Sequence, residues 1–368
     1  MNIGLCGFGV VGRGVYEIVR QRPDMKVKKI LCLEDIQLPD AQTVKDFSEI
    51  LNDPEIDTVV EAMGGLHPSY DFARAALEAG KNVVSSNKAM VCTFYDQLVS
   101  LAVQKGVSLR CTAAVGGGIG WLSELERARR VQTINQVGGI MNGTCNYILD
   151  NMTRLGLGYD EALKQAQKLG YAEANPATDV DGIDTWHKVI LSANVAFGIS
   201  LDKTTVPVSG IRNISAADVD CFKAHGKVCK LISTAKRTED GFSAYVQPTL
   251  VAAGSPEGAV PLNYNLITFI GQTSERMSFY GQGAGRYPTA YNVVQDLVDV
   301  TQGKSFYAPY GAPQAADNQE AHRYYVRGDW EGSIQEDWST GVITAPVPVS
   351  QMHQWVKDHP DAFIAGVD

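Results

Sequence analysis

Residues 170–188 read GYAEANPATDVDGIDTWHK, which places Glu173, Asp179, Asp181, Asp184 and Lys188 within nineteen residues at the mouth of an apolar helix. Clustered carboxylates can hold an ammonium group, and a lysine can give or take a proton at a reacting oxygen. The apolar residues of 183–197 recur at helical spacing, with Asp181 and Gly182 at the start and Gly198 at the end, so the pattern predicts a helix with defined ends. Asp184 and Lys188 then share one face, four residues apart. An ordinary helix with an acid in its first turn and a surface Asp-to-Lys pair has the same pattern. A second motif in the same chain favours chemistry.

That motif opens the chain. Residues 2–6 form a short apolar strand, Gly7-Phe8-Gly9-Val10-Val11-Gly12 follows, and 13–20 reads as a helix. In this order Gly7 permits a tight turn, Gly9 lets the backbone approach a pyrophosphate, and Gly12 allows the helix to pack on the strand with its N-terminus facing the phosphates. The next strand, 27–33, ends in Glu34-Asp35, where an acid can accept hydrogen bonds from an adenosine ribose. The stretch 33–40 carries three acids and no basic residue, which predicts NAD rather than NADP, since an acid there repels a 2′-phosphate.

The elements that must position these groups alternate through the first third. Residues 58–63 read as a strand ending in Met63-Gly64-Gly65, 69–79 as a helix, 82–85 as a strand leading into Ser86-Asn87-Lys88, and 94–105 as a helix. This is the rhythm of a Rossmann-type, doubly wound parallel sheet, whose ligands bind outside the carboxyl ends of the strands. Met63, Gly64, Gly65, Ser86 and Lys88 are therefore expected to line the cofactor crevice, with Lys88 at the nicotinamide end. The glycine cluster at 115–120 marks a boundary. Beyond it come a strand at 136–141, the turn Gly143-Thr144, helices at 146–155 and 216–225, and strands of mixed polarity at 230–235, 241–251, 265–271 and 276–280. These predict a second domain of α+β type with a mostly antiparallel sheet. Gly170, Gly283 and Gly285 are candidates for close backbone approach to the cofactor. The expected organisation is a nucleotide-binding domain at 1–122 rejoined by 283–304, a substrate-binding and dimerisation domain at 123–282, and a C-terminal segment at 305–368.

With 368 residues, 45% hydrophobic and 20% charged, the chain has the composition of a globular protein. A net charge of −9 and the lack of any lysine or arginine stripe argue against a nucleic-acid surface. No leader or membrane-length apolar run is read, so a cytoplasmic location is expected. The seven cysteines are scattered and odd in number, and neither they nor the six histidines show metal-ligand spacing.

GFGVVGRGV at the N-terminus, SSNKAM at Lys88, VGGGI at 115–119, NGTCNYIL at 142–149, the 170–188 fragment and GQGAGRYPTAYNVVQDL at 281–297 together resemble the homoserine dehydrogenase family, from residue 1 to about 303. The resemblance implies an NAD(P)H-dependent interconversion of L-aspartate 4-semialdehyde and L-homoserine by a homodimer in threonine and methionine biosynthesis. It matches Lys188 to the proton donor, Lys88 to a lysine between cofactor and substrate, and Glu173 and Asp184 to the homoserine-binding acids. Gly143, Thr144, Tyr171 and Asp179 complete the expected substrate residues. A monovalent cation, Na+ or K+, would take the backbone carbonyls of Val115, Gly117 and Ile119. The chain departs from the family pattern at Asn175-Pro176, Gly120 and Thr112, where relatives often carry an acid that helps hold the cation. Residues 322–327 resemble the first strand of the ACT module of many relatives. A complete module does not follow: 333–340 is polar, and a strand at 341–347 and a helix at 350–357 are too few elements. Two alternatives remain: another amino-acid dehydrogenase with the same cofactor domain, and a catalytically silent dinucleotide sensor.

Overall fold

Strand β1 (Asn2–Cys6) is buried along its length apart from its first residue, as a central strand covered on both faces must be. The computed structural model describes residues 1–305 and 312–368. The chain forms two compact units, one of Met1–Val131, Asn194–Ser200 and Gln282–Pro313, the other of Gln132–Ala193, Leu201–Gly281 and Gln314–Asp368.

In the first unit β1 is joined by β2 (Lys26–Leu31), β3 (Gln42–Val44), β4 (Thr58–Glu61), β5 (Asn82–Ser85) and β6 (Leu109–Arg110) in the order β3-β2-β1-β4-β5-β6. Every neighbouring pair is parallel, which makes the sheet the Rossmann type expected from the βα rhythm. Strand order reverses between β1 and β4, where ligands of such sheets bind. The helix Arg286–Thr301 returns from late in the chain to this unit. Its Ala290, Val293 and Leu297 are fully buried with Ile3, Leu5 and Val15, each large apolar side chain contributing roughly 2 kcal/mol on burial. Gly14 makes the helix packing close, since a Cβ there would lie 2.9 Å from that of Ala290.

The second unit is built on a ten-stranded sheet. β7 (Ile134–Ile140), β8 (Lys227–Arg237), β9 (Phe242–Ala252) and β10 (Tyr264–Gly271) alternate in direction, and β11 (Glu275–Gln282) lies at the edge. The segment after residue 313 continues this sheet. β12 (Ala321–Arg327), β13 (Ile334–Trp338), β14 (Gly341–Thr344), β15 (Val347–Pro348) and β16 (Phe363–Val367) extend it, with β16 parallel to β9 and antiparallel to β12. The polar stretch 333–340 thus holds a strand. Residues 334–337 of β13 are exposed, and an edge strand in water needs no apolar face.

Candidate active site

The N-terminal turn has the geometry that a pyrophosphate requires. Gly7 sits at φ +94°, and a Cβ there would lie 2.8 Å from the carbonyl oxygen of Ala62 at the end of β4. Above Gly9 the space a Cβ would fill is open, and the helix Val10–Val19 starts from it with Gly9 as its cap. Beside this turn lies a cavity of about 490 Å³ lined by Phe8, Leu31, Leu33, Phe47 and Phe72, an apolar slot with the charged groups Glu34 and Lys45 also on its wall. These residues fit a dinucleotide with its adenosine between the end of β2 and the phenylalanines.

The strand ends beyond the turn are tied together by a residue that spacing did not reveal. Glu61, the last of β4, is fully buried; burial pushes its carboxyl up while hydrogen bonds oppose the shift. It accepts from the Met63 amide at 2.9 Å and the Ser85 hydroxyl at 2.6 Å, and its carbonyl takes the Ser86 amide. Asn87 extends the brace, donating to the Gly65 carbonyl at 2.7 Å and capping the short helix Lys88–Thr93 by accepting from the Met90 amide. The expected crevice residues Met63, Gly65, Ser86 and Lys88 are therefore set by one buried carboxylate and one cap. Gly117 and Gly283 approach so closely that a Cβ on Gly117 would meet the Gly283 carbonyl at 2.5 Å, and Gly285 caps Arg286–Thr301. Of the three carbonyls expected to hold a cation, that of Gly117 accepts from the Asn292 amide and that of Ile119 from Trp121 N at 2.7 Å. Thr112 donates its hydroxyl to Asp296 at 2.7 Å and its amide at 2.8 Å.

In the second unit the helix Ile183–Phe197 runs as the apolar spacing predicts. Its Asp184 and Lys188 are 5% and 7% exposed, and Lys188 Nζ lies 2.7 Å from Asp184 Oδ2. Burial and this distance rule out the surface-pair reading. Lys188 also donates to the Met141 carbonyl at 2.7 Å. Asp179 joins the group through Asn142, whose amide donates to Asp179 at 2.7 Å and to Asp184 at 2.8 Å. Thr144 donates to the Tyr171 carbonyl at 2.6 Å, and the Tyr171 ring packs edge-on against Tyr147. Gly143 opens the helix Gly143–Leu155 against the Asn263 carbonyl, and Gly170 follows Tyr159–Lys168 with φ +76°.

Not every acid of the fragment joins this group. Asp181 is paired with Arg212, and Glu173 lies exposed in the loop after Gly170, its carbonyl accepting from Gln167 at 3.0 Å. Asn142 and Glu61 are the residues that sequence reasoning missed. A signal existed for the first, since asparagine between a strand and a helix is a strong N-cap. None existed for Glu61, whose hydroxyl partner Ser85 comes from another strand.

Comparison with known proteins matches residues 121–298 to the homoserine dehydrogenase family model and residues 7–112 to the homoserine dehydrogenase NAD-binding domain. Homoserine dehydrogenase of Bacillus subtilis is 34% identical over 330 residues, covering 84% of this chain and 76% of that protein. The Lactococcus lactis enzyme of the same name is 34% identical over 369 residues, covering 93% and 84%. A solved homoserine dehydrogenase from Thiobacillus denitrificans superposes with a TM-score of 0.86 at 27% identity, over 100% of this chain and 98% of that one.

Proposed function

Because the chain belongs to the homoserine dehydrogenase family, NAD(P)-dependent oxidoreductases that interconvert L-homoserine and L-aspartate 4-semialdehyde, we propose that Lys188 is its proton donor and acceptor. The observation that carries this reading is the buried ammonium of Lys188, held between the Asp184 carboxylate and the Met141 carbonyl. When bound, the nicotinamide supplies or takes the hydride. In reduction of the aldehyde, negative charge grows on the carbonyl oxygen, and Lys188 gives that oxygen a proton; in oxidation of the alcohol it takes the hydroxyl proton back. Asp184 and Glu173 would hold the substrate ammonium, with Asp179, Gly143, Thr144 and Tyr171 completing the grip. Lys88, at the head of its short helix, would serve as a second cation. The first unit would carry the cofactor on the Gly7–Gly12 turn and Glu34, with NAD preferred. The second unit would bind substrate and make the homodimer, in the cytoplasm, as a step of threonine and methionine synthesis. The silent-sensor reading has no observation in its favour, since both lysines and the acids are present.

Lys188→Ala tests the assignment. Turnover should fall by about two to four powers of ten, the usual range for a lost general acid or base, while KM for the cofactor stays within about twofold. Turnover within about threefold of the parent would refute the role, because general acid/base loss costs far more than that.

A further inference from the structure

The corner between β7 and the helix Gly143–Leu155 holds a partner for each member of the Lys188–Asp184 pair. β7 ends at Ile140, and the next two residues turn the chain into the helix. The first, Met141, offers its carbonyl to Lys188 at 2.7 Å. The second, Asn142, has extended backbone (φ −121°, ψ 114°) and is the helix N-cap, its Oδ1 accepting from the Cys145 amide at 2.8 Å.

A cap needs only that oxygen. The Asn142 amide nitrogen carries two further hydrogens, and both go to acids, Asp179 Oδ1 at 2.7 Å and Asp184 Oδ2 at 2.8 Å. The same Asp184 oxygen takes the Lys188 ammonium at 2.7 Å, so two donors meet on it. Asn142 is 4% exposed, which leaves little water to replace its hydrogen bonds. Among the residues that cap helices well, aspartate has the oxygen but no N–H, and serine and threonine have a single short hydroxyl. Only asparagine caps the helix and bridges two carboxylates at once.

We propose that Asn142 is a positioning residue for the reaction: its amide fixes the Asp184 carboxylate, and through it the Lys188 ammonium, in the orientation the substrate meets. The inference rests on the assignment of Lys188 and Asp184 to the substrate site.

Two substitutions in the full chain separate the bridge from the cap. N142S keeps a capping oxygen and loses the double donor. N142D keeps cap and size but sets a third carboxylate against Asp179 and Asp184. As helix caps, aspartate and asparagine are near equals, so a purely structural role ranks N142D nearest the parent. The bridging role ranks it last. For N142S, KM for homoserine should rise and kcat fall, each by about tenfold, and kcat/KM of N142D should fall by about three powers of ten, since a charge-assisted hydrogen bond becomes a like-charge contact. Both variants should keep KM for the cofactor within about twofold, because the damage is confined to transition-state and substrate contacts. A kcat/KM for N142D within about threefold of the parent would overturn the proposal, as would equal damage to cofactor and substrate binding or loss of fold in both variants. Lys188→Ala measured alongside distinguishes the failures: if it turns over like the parent, the lysine assignment has failed. If it is inactive while N142D is active, only the Asn142 inference has.

Discussion

At the end of β2 two carboxylates each face a cation that the local sequence does not contain. Glu34 pairs with Arg13 of the first helix at 3.1 Å, and Asp35 with Lys45 at 2.7 Å. Lys45 also donates to the Leu33 carbonyl, and Arg13 lies 4.8 Å from the centre of the Phe8 ring. Both pairs are substantially exposed, so solvent screens them and each can open for a ligand. A carboxylate beside an arginine still accepts the ribose hydroxyls of NAD, and it still repels a 2′-phosphate, though less than the bare acids of 33–40 would. The expected outcome is a higher kcat/KM for NADH than for NADPH, with a gap that narrows as salt rises. In Glu34→Gln the ratio should move toward NADPH by about tenfold, the size of one lost charge–charge contact at the protein surface. Steady-state rates with both cofactors at one ionic strength decide it, and equal values or an NADPH preference in the parent would sink the role given to Glu34. The acids could be read from their place after a strand. Arg13 could not, because its partner lies on another element and no periodicity links them.

The helix Ile183–Phe197 was legible to its ends because one apolar stripe and two glycines delimit it, and the first sheet because its strands are apolar runs between turn residues. The helix Tyr159–Lys168 was not: only Ala162 and Ala166 are buried in it, too few to mark a face. β3 and β6, three and two residues long, are below the length at which alternation can be seen. The candidate site was legible as residue types but not as a network, since the groups that orient Asp184 and Lys188 sit at 141 and 142, on a different strand-to-helix corner. β8 carries a further residue that sequence could not interpret. Lys230, 2% exposed, donates to Asn146 Oδ1 at 2.9 Å and to the Val260 carbonyl at 2.7 Å, and burial pushes its ammonium down to about 8. With a folded pKa below the unfolded one, the unfolded chain binds this proton more readily between those values. This contribution to stability therefore rises with pH through the window from about 8 to the ordinary lysine value, and is lost as pH falls through it. Buried cysteines and tyrosines with raised pKa act in the opposite direction, so the comparison must be with Lys230→Met. Urea midpoints at pH 8 and pH 10 should show the parent gaining about 2 kcal/mol on the variant. An unchanged difference between the two would mean that the lysine is not titrating in that range.

For the molecule as a whole, the segment after residue 313 has a part that its resemblance to a regulatory module would not give it. β16 pairs with β9 through Gly366↔Thr249 and Val367↔Leu250, and β9 is buried along its length except at its last residue. The same segment satisfies polar groups inside the second unit. Tyr325 donates to the fully buried Asp218 at 2.6 Å, and Arg327 pairs with that acid at 3.0 Å. Asn318 donates to the Thr205 carbonyl and accepts from the Ala244 amide, both at 2.8 Å. Glu320 is bound to Lys236, and the rings of His225 and Trp338 stack at 3.8 Å. Removing the segment would strip the hydrogen-bonding edge of an apolar strand and leave a buried carboxylate without its cation, the two conditions under which sheets aggregate and buried charges destabilise by several kcal/mol. Deletion of residues 314–368 is therefore expected to give aggregated protein rather than a soluble enzyme freed of regulation, by size-exclusion chromatography and light scattering. An appendage that only carried an effector site would be dispensable, so a soluble deletion variant with parental kcat would show that the sheet closes at β9 and that the tail serves some other end.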